Sequence, residues 1–204
     1  MNIDKTRYSG RPKEKRSEQE DAIYDQLDAL GIPFYRVDHN AANTMEDCLL
    51  IEETLGGKIC KNLFLCNRQE TGFYLLMMPG GKPFKTKYLS AQLGCSRLSF
   101  AGAEHMAQLL HTVPGSVSAL ELLFDTERRV KLVVDRDLLK EETISGHPGF
   151  STSTLRLSRE DLLRYVEATG HAPVLVELPS EPDGNDRLSR PSASLANTHE
   201  LFFF

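Results

Sequence analysis

At 204 residues the chain can bury one sizeable core, and its net charge of −5 excludes a general attraction for nucleic acid, so any RNA must be met by a local basic patch. No apolar run approaches the roughly 18–20 residues of a membrane helix, and the first residues lack the apolar segment of a secretory signal, which points to a soluble, cytoplasmic protein with no membrane partner. The four cysteines, Cys48, Cys60, Cys66 and Cys95, have no paired spacing of the metal-binding kind and lie in or beside apolar segments, so they read as buried, reduced thiols.

Residues 1–16 are polar and basic and read as a flexible N-terminal extension. Ser17-Glu18-Gln19-Glu20 is a capping box, and Ala22, Ile23, Leu27 and Leu30 follow it at helical spacing until Gly31 and Pro33 stop the helix. Phe34 to His39 alternates as a strand. Thr44 can cap a second helix with Asp47 at N3; its apolar stripe is Cys48, Ile51 and Leu55, and Gly56-Gly57 ends it. An apolar strand then begins, with Lys61 at its mouth, and runs to Cys66. Residues 67–72 are turn-like, and the run Phe73 to Met78 completes a hairpin buried on both faces.

A tight loop over 79–85 leads to a short helix from Thr86 to Leu93 closed by Gly94, a brief strand near Arg97 to Phe100, and a helix over about Ala103 to His111. Val113 to Leu120 is a loop of small residues. Val130 to Asp135 is a β-branched strand, followed by a turn near Leu139, a short pairing segment at Glu142 to Ser145, and the loop Gly146-His147-Pro148-Gly149. A strand over Thr152 to Leu157, a helix capped by Ser158 and running to Gly170, and a strand over Val174 to Leu178 close the domain, leaving 179–204 as a flexible tail tipped by Leu201-Phe202-Phe203-Phe204. Strands and helices interleave without a βαβ repeat. The expected class is α+β, a mixed, mostly antiparallel sheet or part-closed barrel with peripheral helices, in one domain over 17–178.

Several features carry chemistry, each with a plainer reading beside it. Lys61 is either a solvated edge charge or a cation held at a pocket. Pro114-Gly115-Ser116-Val117-Ser118-Ala119 can turn consecutive backbone N–H groups toward an oxyanion, or it can be an ordinary connection. His147 sits in a turn fixed by Pro148 and Gly149, as a structural or a functional imidazole. Cys60 or Cys48 with His147 as base would make a cysteine hydrolase, although buried thiols are usually inert. Ser116 lacks a G-x-S-x-G elbow. The six histidines have no close ligand spacing, so neither a metal nor another cofactor is expected. Lys82, Lys85 and Lys87, interleaved with Phe84 and Tyr88, either grip RNA phosphates or decorate a solvated hairpin end.

The order of these pieces is informative. His39 with Thr44-Met45-Glu46, then Gly57-Lys58-Ile59-Cys60-Lys61-Asn62-Leu63-Phe64-Leu65, then Pro114-Gly115-Ser116-Val117-Ser118, then His147-Pro148-Gly149 followed by Thr152 and Thr154, resembles the motif set of the YbaK/ProX family over about residues 17–178. That family comprises free-standing relatives of the editing domain of bacterial prolyl-tRNA synthetase, and the ProX (PrdX) branch is the nearest in pattern. The resemblance implies a trans-editing aminoacyl-tRNA deacylase that removes alanine from tRNA(Pro). It implies Lys61 and Gly115 as catalytic residues, and Thr44, Asn62, Ser116, Val117, Ser118, His147, Pro148 and Gly149 as substrate-binding. The acceptor end of aminoacyl-tRNA is the implied partner, with prolyl-tRNA synthetase as a second, and the substrate's own 2′-hydroxyl is implied in activating water. Lys82, Lys85 and Lys87 would bind the tRNA. The pattern departs at Ala119, where the family often has proline. The alternatives are a catalytically weak module that binds tRNA or a synthetase, or a deacylase for cysteine, serine or threonine.

Overall fold

The computed structural model of the chain describes residues 2–40 and 45–180, so the Thr44 cap and the Leu201–Phe204 tip lie outside the described residues. Two open sheets form the frame. The first has the order β1 (Tyr8–Ser9), β2 (Tyr35–Asp38), β8 (Ser153–Ser158), β7 (Thr143–Gly146) and is antiparallel throughout. The second runs β5 (Ser99–Phe100), β3 (Cys60–Cys66), β4 (Phe73–Pro79), β6 (Val130–Asp135), β9 (Val174–Val176), antiparallel except for β4 with β6 and β6 with β9. An isolated parallel bridge from Ile59 to Ser145 stitches the start of β3 to β7, joining the sheets.

The β3–β4 hairpin is buried on both faces, which is why both strands read as unbroken apolar runs. Strand alternation sorts those runs between two cores. Cys60, Phe64, Cys66, Phe73, Leu75 and Met77 face the larger core, which also takes Ile23 and Leu27 of α1 (Glu18–Ala29) and Leu162 and Val166 of α5 (Arg159–Ala168). Leu63, Leu65, Tyr74, Leu76 and Met78 face the second core, closed by Leu89 of α3 (Thr86–Leu93). α2 (Met45–Leu55) and α4 (Ala103–Leu110) complete the helices, and α1 carries the expected capping box of Ser17 and Glu20.

Two segments differ from the sequence reading. The N-terminal stretch read as a flexible extension lies along β2: Tyr8 and Ser9 pair with Arg36 and Tyr35, Asp4 N–H donates to Asp38 O at 2.9 Å, and Gly10 N–H to Phe34 O at 3.0 Å. Side chains hold it there, because Arg11 bonds Asp25 on α1 at 2.7 Å and Arg36 stacks over the Tyr8 ring at 4.8 Å. The small-residue loop ends at Ser118, and Ala119–Phe124 is a 3-10 helix started by a capping box of Ser118 and Glu121.

Candidate active site

Glu121, on that 3-10 helix, ties two loops together. It is fully buried, one of its oxygens accepts the Ser118 N–H, and the other accepts the Gly149 N–H at 2.8 Å. Burial pushes its carboxyl up to about 8, against the opposing pull of those two donors. Three further bonds reinforce the seam. Ser118 Oγ donates to His147 O at 2.8 Å, Thr112 Oγ1 to Gly149 O at 2.8 Å, and Ser151 N–H to Ser116 Oγ at 3.0 Å. Gly115 and Gly149 take φ of 85° and 92°, left-handed values that favour glycine. The Ser116 N–H is spent on Val113 O at 3.1 Å, whereas the Gly115 and Val117 N–H groups have no acceptor among the described residues.

His147 is buried beside the same seam, with His39 at a ring-centroid distance of 6.0 Å. A carbonyl only accepts, so His147 Nδ1–H donates to Ser153 O at 2.9 Å and His39 Nδ1–H to Asn40 O at 2.8 Å. His39 Nε2 then accepts the Thr154 hydroxyl at 2.8 Å, and Thr154 Oγ1 stands 3.3 Å from His147 Nδ1. Burial lowers both imidazoles, His147 to about 4, which favours their neutral forms. Pro148 is buried in the same loop.

Lys61 and Asn62 are consecutive on β3 and therefore point to opposite faces. Asn62 looks toward the two loops. With Ser118, Ser145, Gly146, Ala119, Ile144 and their neighbours it lines a cavity of about 10 Å³, room for one water-sized group. Asn62 Oδ1 and Ser145 Oγ, both in residues 3 % exposed, have no hydrogen-bond partner there. Lys61, Gly115 and His147 do not line that cavity. Lys61 turns the other way, and its ammonium donates to Lys82 O at 3.0 Å.

Lys82 itself is not the phosphate contact suggested by its sequence setting. Its side chain is buried, with Nζ 2.7 Å from Asp135 and 2.6 Å from Asp137. Burial alone would depress this lysine, but the two carboxylates outweigh it and raise it. Lys85 is half-buried and Lys87 exposed, with Lys87 Nζ over the Tyr88 ring at 4.8 Å. A groove of about 890 Å³ beside the start of α3 brings together the exposed Arg68, Arg97 and Phe100. These residues were not picked out from the sequence, because each arginine is isolated there and only the β3–β5 pairing unites them.

The thiols do not suit nucleophilic catalysis. Burial pushes Cys60 up to about 12 and Cys48 to about 11, which keeps both protonated. Cys95 is half-buried rather than buried, and all four are free. Among the described residues no group of three His, Cys, Asp or Glu side chains could hold a metal ion, and no helix is long and apolar enough to cross a membrane.

Comparison with known proteins bears directly on this arrangement. The aminoacyl-tRNA editing domain model matches residues 39–165, which contain both loops, Lys61 and the histidine pair. The prolyl-tRNA editing protein ProX of Acetoanaerobium sticklandii is 30% identical over 157 residues, 77% of this chain and 96% of ProX. The prolyl-tRNA synthetase associated domain-containing protein 1 of Danio rerio is 32% identical over 74% of this chain and 82% of its own length. A crystal structure of a protein provisionally described as a trans-editing enzyme for prolyl tRNA synthetase superposes with a TM-score of 0.60 at 18% identity, covering 81% of this chain and all of that one, a likeness of fold. The ordered motifs, the fold and these matches agree, and the chain belongs to the aminoacyl-tRNA editing family, in its YbaK/ProX branch.

Proposed function

We propose that the chain hydrolyses the ester of mischarged tRNA(Pro) in trans, and that alanine is the amino acid it removes. Membership of the editing family makes it an aminoacyl-tRNA hydrolase. The choice of alanine rests on one observation, the cavity of about 10 Å³ between Asn62, Ser118 and Gly146. Room for one water-sized group suits a small side chain such as the methyl of alanine better than a pyrrolidine ring. A synthetase pocket made for proline gains only about 1–3 kcal/mol against a smaller side chain, and a second, tighter hydrolytic pocket supplies the missing discrimination.

The rest of the site fits ester hydrolysis. Attack of water on the ester carbonyl creates an oxyanion, and the uncommitted N–H groups of Gly115 and Val117 are the donors proposed to receive it, each donor of this kind being worth about 3 kcal/mol. As the resemblance implies, the substrate's 2′-hydroxyl relays the proton, taking one from the attacking water while giving its own to the 3′ oxygen, which leaves as the free hydroxyl of the tRNA as the carboxylic acid of the amino acid is released. Because Lys61 lies on the opposite face of β3 from Asn62, the role proposed for it is a phosphate of the terminal nucleotide rather than the carbonyl. Arg68, Arg97 and Phe100 offer charge and an aromatic face to the RNA beyond it, in a chain whose net charge is −5. Lys85 and Lys87 are the chain neighbours of Thr86, which lines the same groove.

One observation favours a second substrate. The unpartnered Asn62 Oδ1 and Ser145 Oγ could bond a hydroxyl, which suits a seryl ester in the same space. Both readings are tested by one panel, the alanyl, seryl, cysteinyl and prolyl esters of tRNA(Pro), with wild type and Lys61→Ala. Rapid loss of the alanyl ester with sparing of the prolyl ester is expected. Faster loss of the seryl ester would transfer the assignment to serine. Tight binding with no turnover of any ester would make the chain a tRNA-binding module, and full activity of Lys61→Ala would remove the role given to Lys61.

A further inference from the structure

We infer that Glu121 is a positioning residue of the hydrolytic site: its carboxyl group is the bracket that sets the gap between the Gly115–Ser118 loop and the His147–Gly149 loop. The inference rests on the deacylase reading above, and the geometry carries it. Ser118 and Gly149 are 31 positions apart in sequence, and each gives its backbone N–H to a different oxygen of one fully buried side chain. A carboxyl group has an acceptor at each of its two oxygens, so it can take one N–H from each side, whereas the amide of glutamine offers a single oxygen.

The other ties between these loops run through hydroxyls, Ser118 to His147 O, Thr112 to Gly149 O and Ser116 from Ser151 N–H. Each of those fixes one point. Glu121 instead spans the seam, and it also caps the 3-10 helix whose first residue, Ala119, lines the cavity with Ser118 and Gly146. Movement of either loop against the other therefore changes the cavity and the direction of the Gly115 and Val117 N–H groups together. Sequence spacing carried a trace of this, since Ser118-x-x-Glu121 has the capping-box form. Nothing in the spacing, however, points to Gly149.

The test is Glu121→Gln, equal in size but with one acceptor replaced by a donor that faces an N–H. With the alanyl ester of tRNA(Pro), kcat should fall about 10- to 100-fold, the effect of an ångström-scale misplacement, while KM changes less than about twofold. Retention of kcat within about twofold in a variant that unfolds cooperatively would overturn the inference, because shape alone would then be what matters. A measurement on wild type keeps the inference open to refutation if the variant fails to fold. The amide protons of Ser118 and Gly149 should shift together with one apparent pKa near 8, apart from the step of His147 near 4. Independent shifts of the two amides would end it. Inactivity of wild type on every ester would instead remove the deacylase reading and leave the amide titration to be judged alone.

Discussion

Two buried side chains in the site, His147 and Glu121, titrate in opposite senses, and the signs can be followed separately. His147 is lowered from 6.5 to about 4, so the folded state binds fewer protons than the unfolded one between those values. Its contribution is whole above pH 6.5 and is lost as pH falls through about 4. Glu121 is raised from 4.5 to about 8, so its contribution is whole below pH 4.5 and is lost as pH rises through about 8. Denaturant midpoints from pH 6.5 to 9 should therefore decline in wild type, by on the order of 2 kcal/mol in stability, and should be flat by comparison in Glu121→Gln. A wild-type profile as flat as the variant's would contradict the buried, raised carboxyl. Full ionisation of this carboxyl above about pH 8 thus weakens the fold, a trade common at functional sites. His147 was legible in the sequence because proline and glycine mark its turn, whereas Glu121 looked like one more acid until the fold brought Gly149 to it.

At the scale of elements, the loop between β4 and α3 depends on a charge cluster. Lys82 fastens that loop to the end of β6 through Asp135 and Asp137, and its own carbonyl fixes the Lys61 ammonium on β3. Gly80 permits the close approach, since a Cβ there would lie 2.8 Å from Ile59 O. Lys82→Met would leave Asp135, which is fully buried, without its cation. Such a break costs about 3–5 kcal/mol, and the double variant Lys82→Met with Asp135→Leu should recover much of it. Urea unfolding of the three proteins checks this, and a single variant within about 0.5 kcal/mol of wild type would show that the pair contributes little. The sequence places three lysines in one polar loop and gives no sign that one of them meets two acids 53 and 55 positions further on, so Lys82 reads as solvent-facing with Lys85 and Lys87. The β3–β4 hairpin was readable because both its faces are apolar, and α1 because its capping box is local. The 3-10 helix was not, because six residues in that form leave no helical stripe. At Ala119, where the resemblance implies proline in many relatives, the helix is started by the capping box of Ser118 and Glu121.

For the molecule as a whole, the two sheets meet where Ile59 bridges Ser145, and the candidate site lies beside that junction. Fold class and motif order were accessible from sequence because each motif is short and local. The pairing of sheets was not, since it is made by contacts between residues far apart in the chain. The N-terminal stretch illustrates the difference, being polar and basic in composition yet laid against β2 from Ile3, which bridges His39, to Gly10. Beyond β2 on its other side is β8, which carries the Ser153 and Thr154 partners of the histidine pair. An uncovered strand edge is a template for another chain. Deletion of residues 2–11 should therefore cause concentration-dependent self-association, visible by sedimentation velocity, before any loss of helix content. A deletion variant that stays monomeric at high concentration would show that β2 needs no cover. The basic stretch at the start of the chain is then less a tether than a selvedge, finishing an edge that would otherwise ravel into its neighbours.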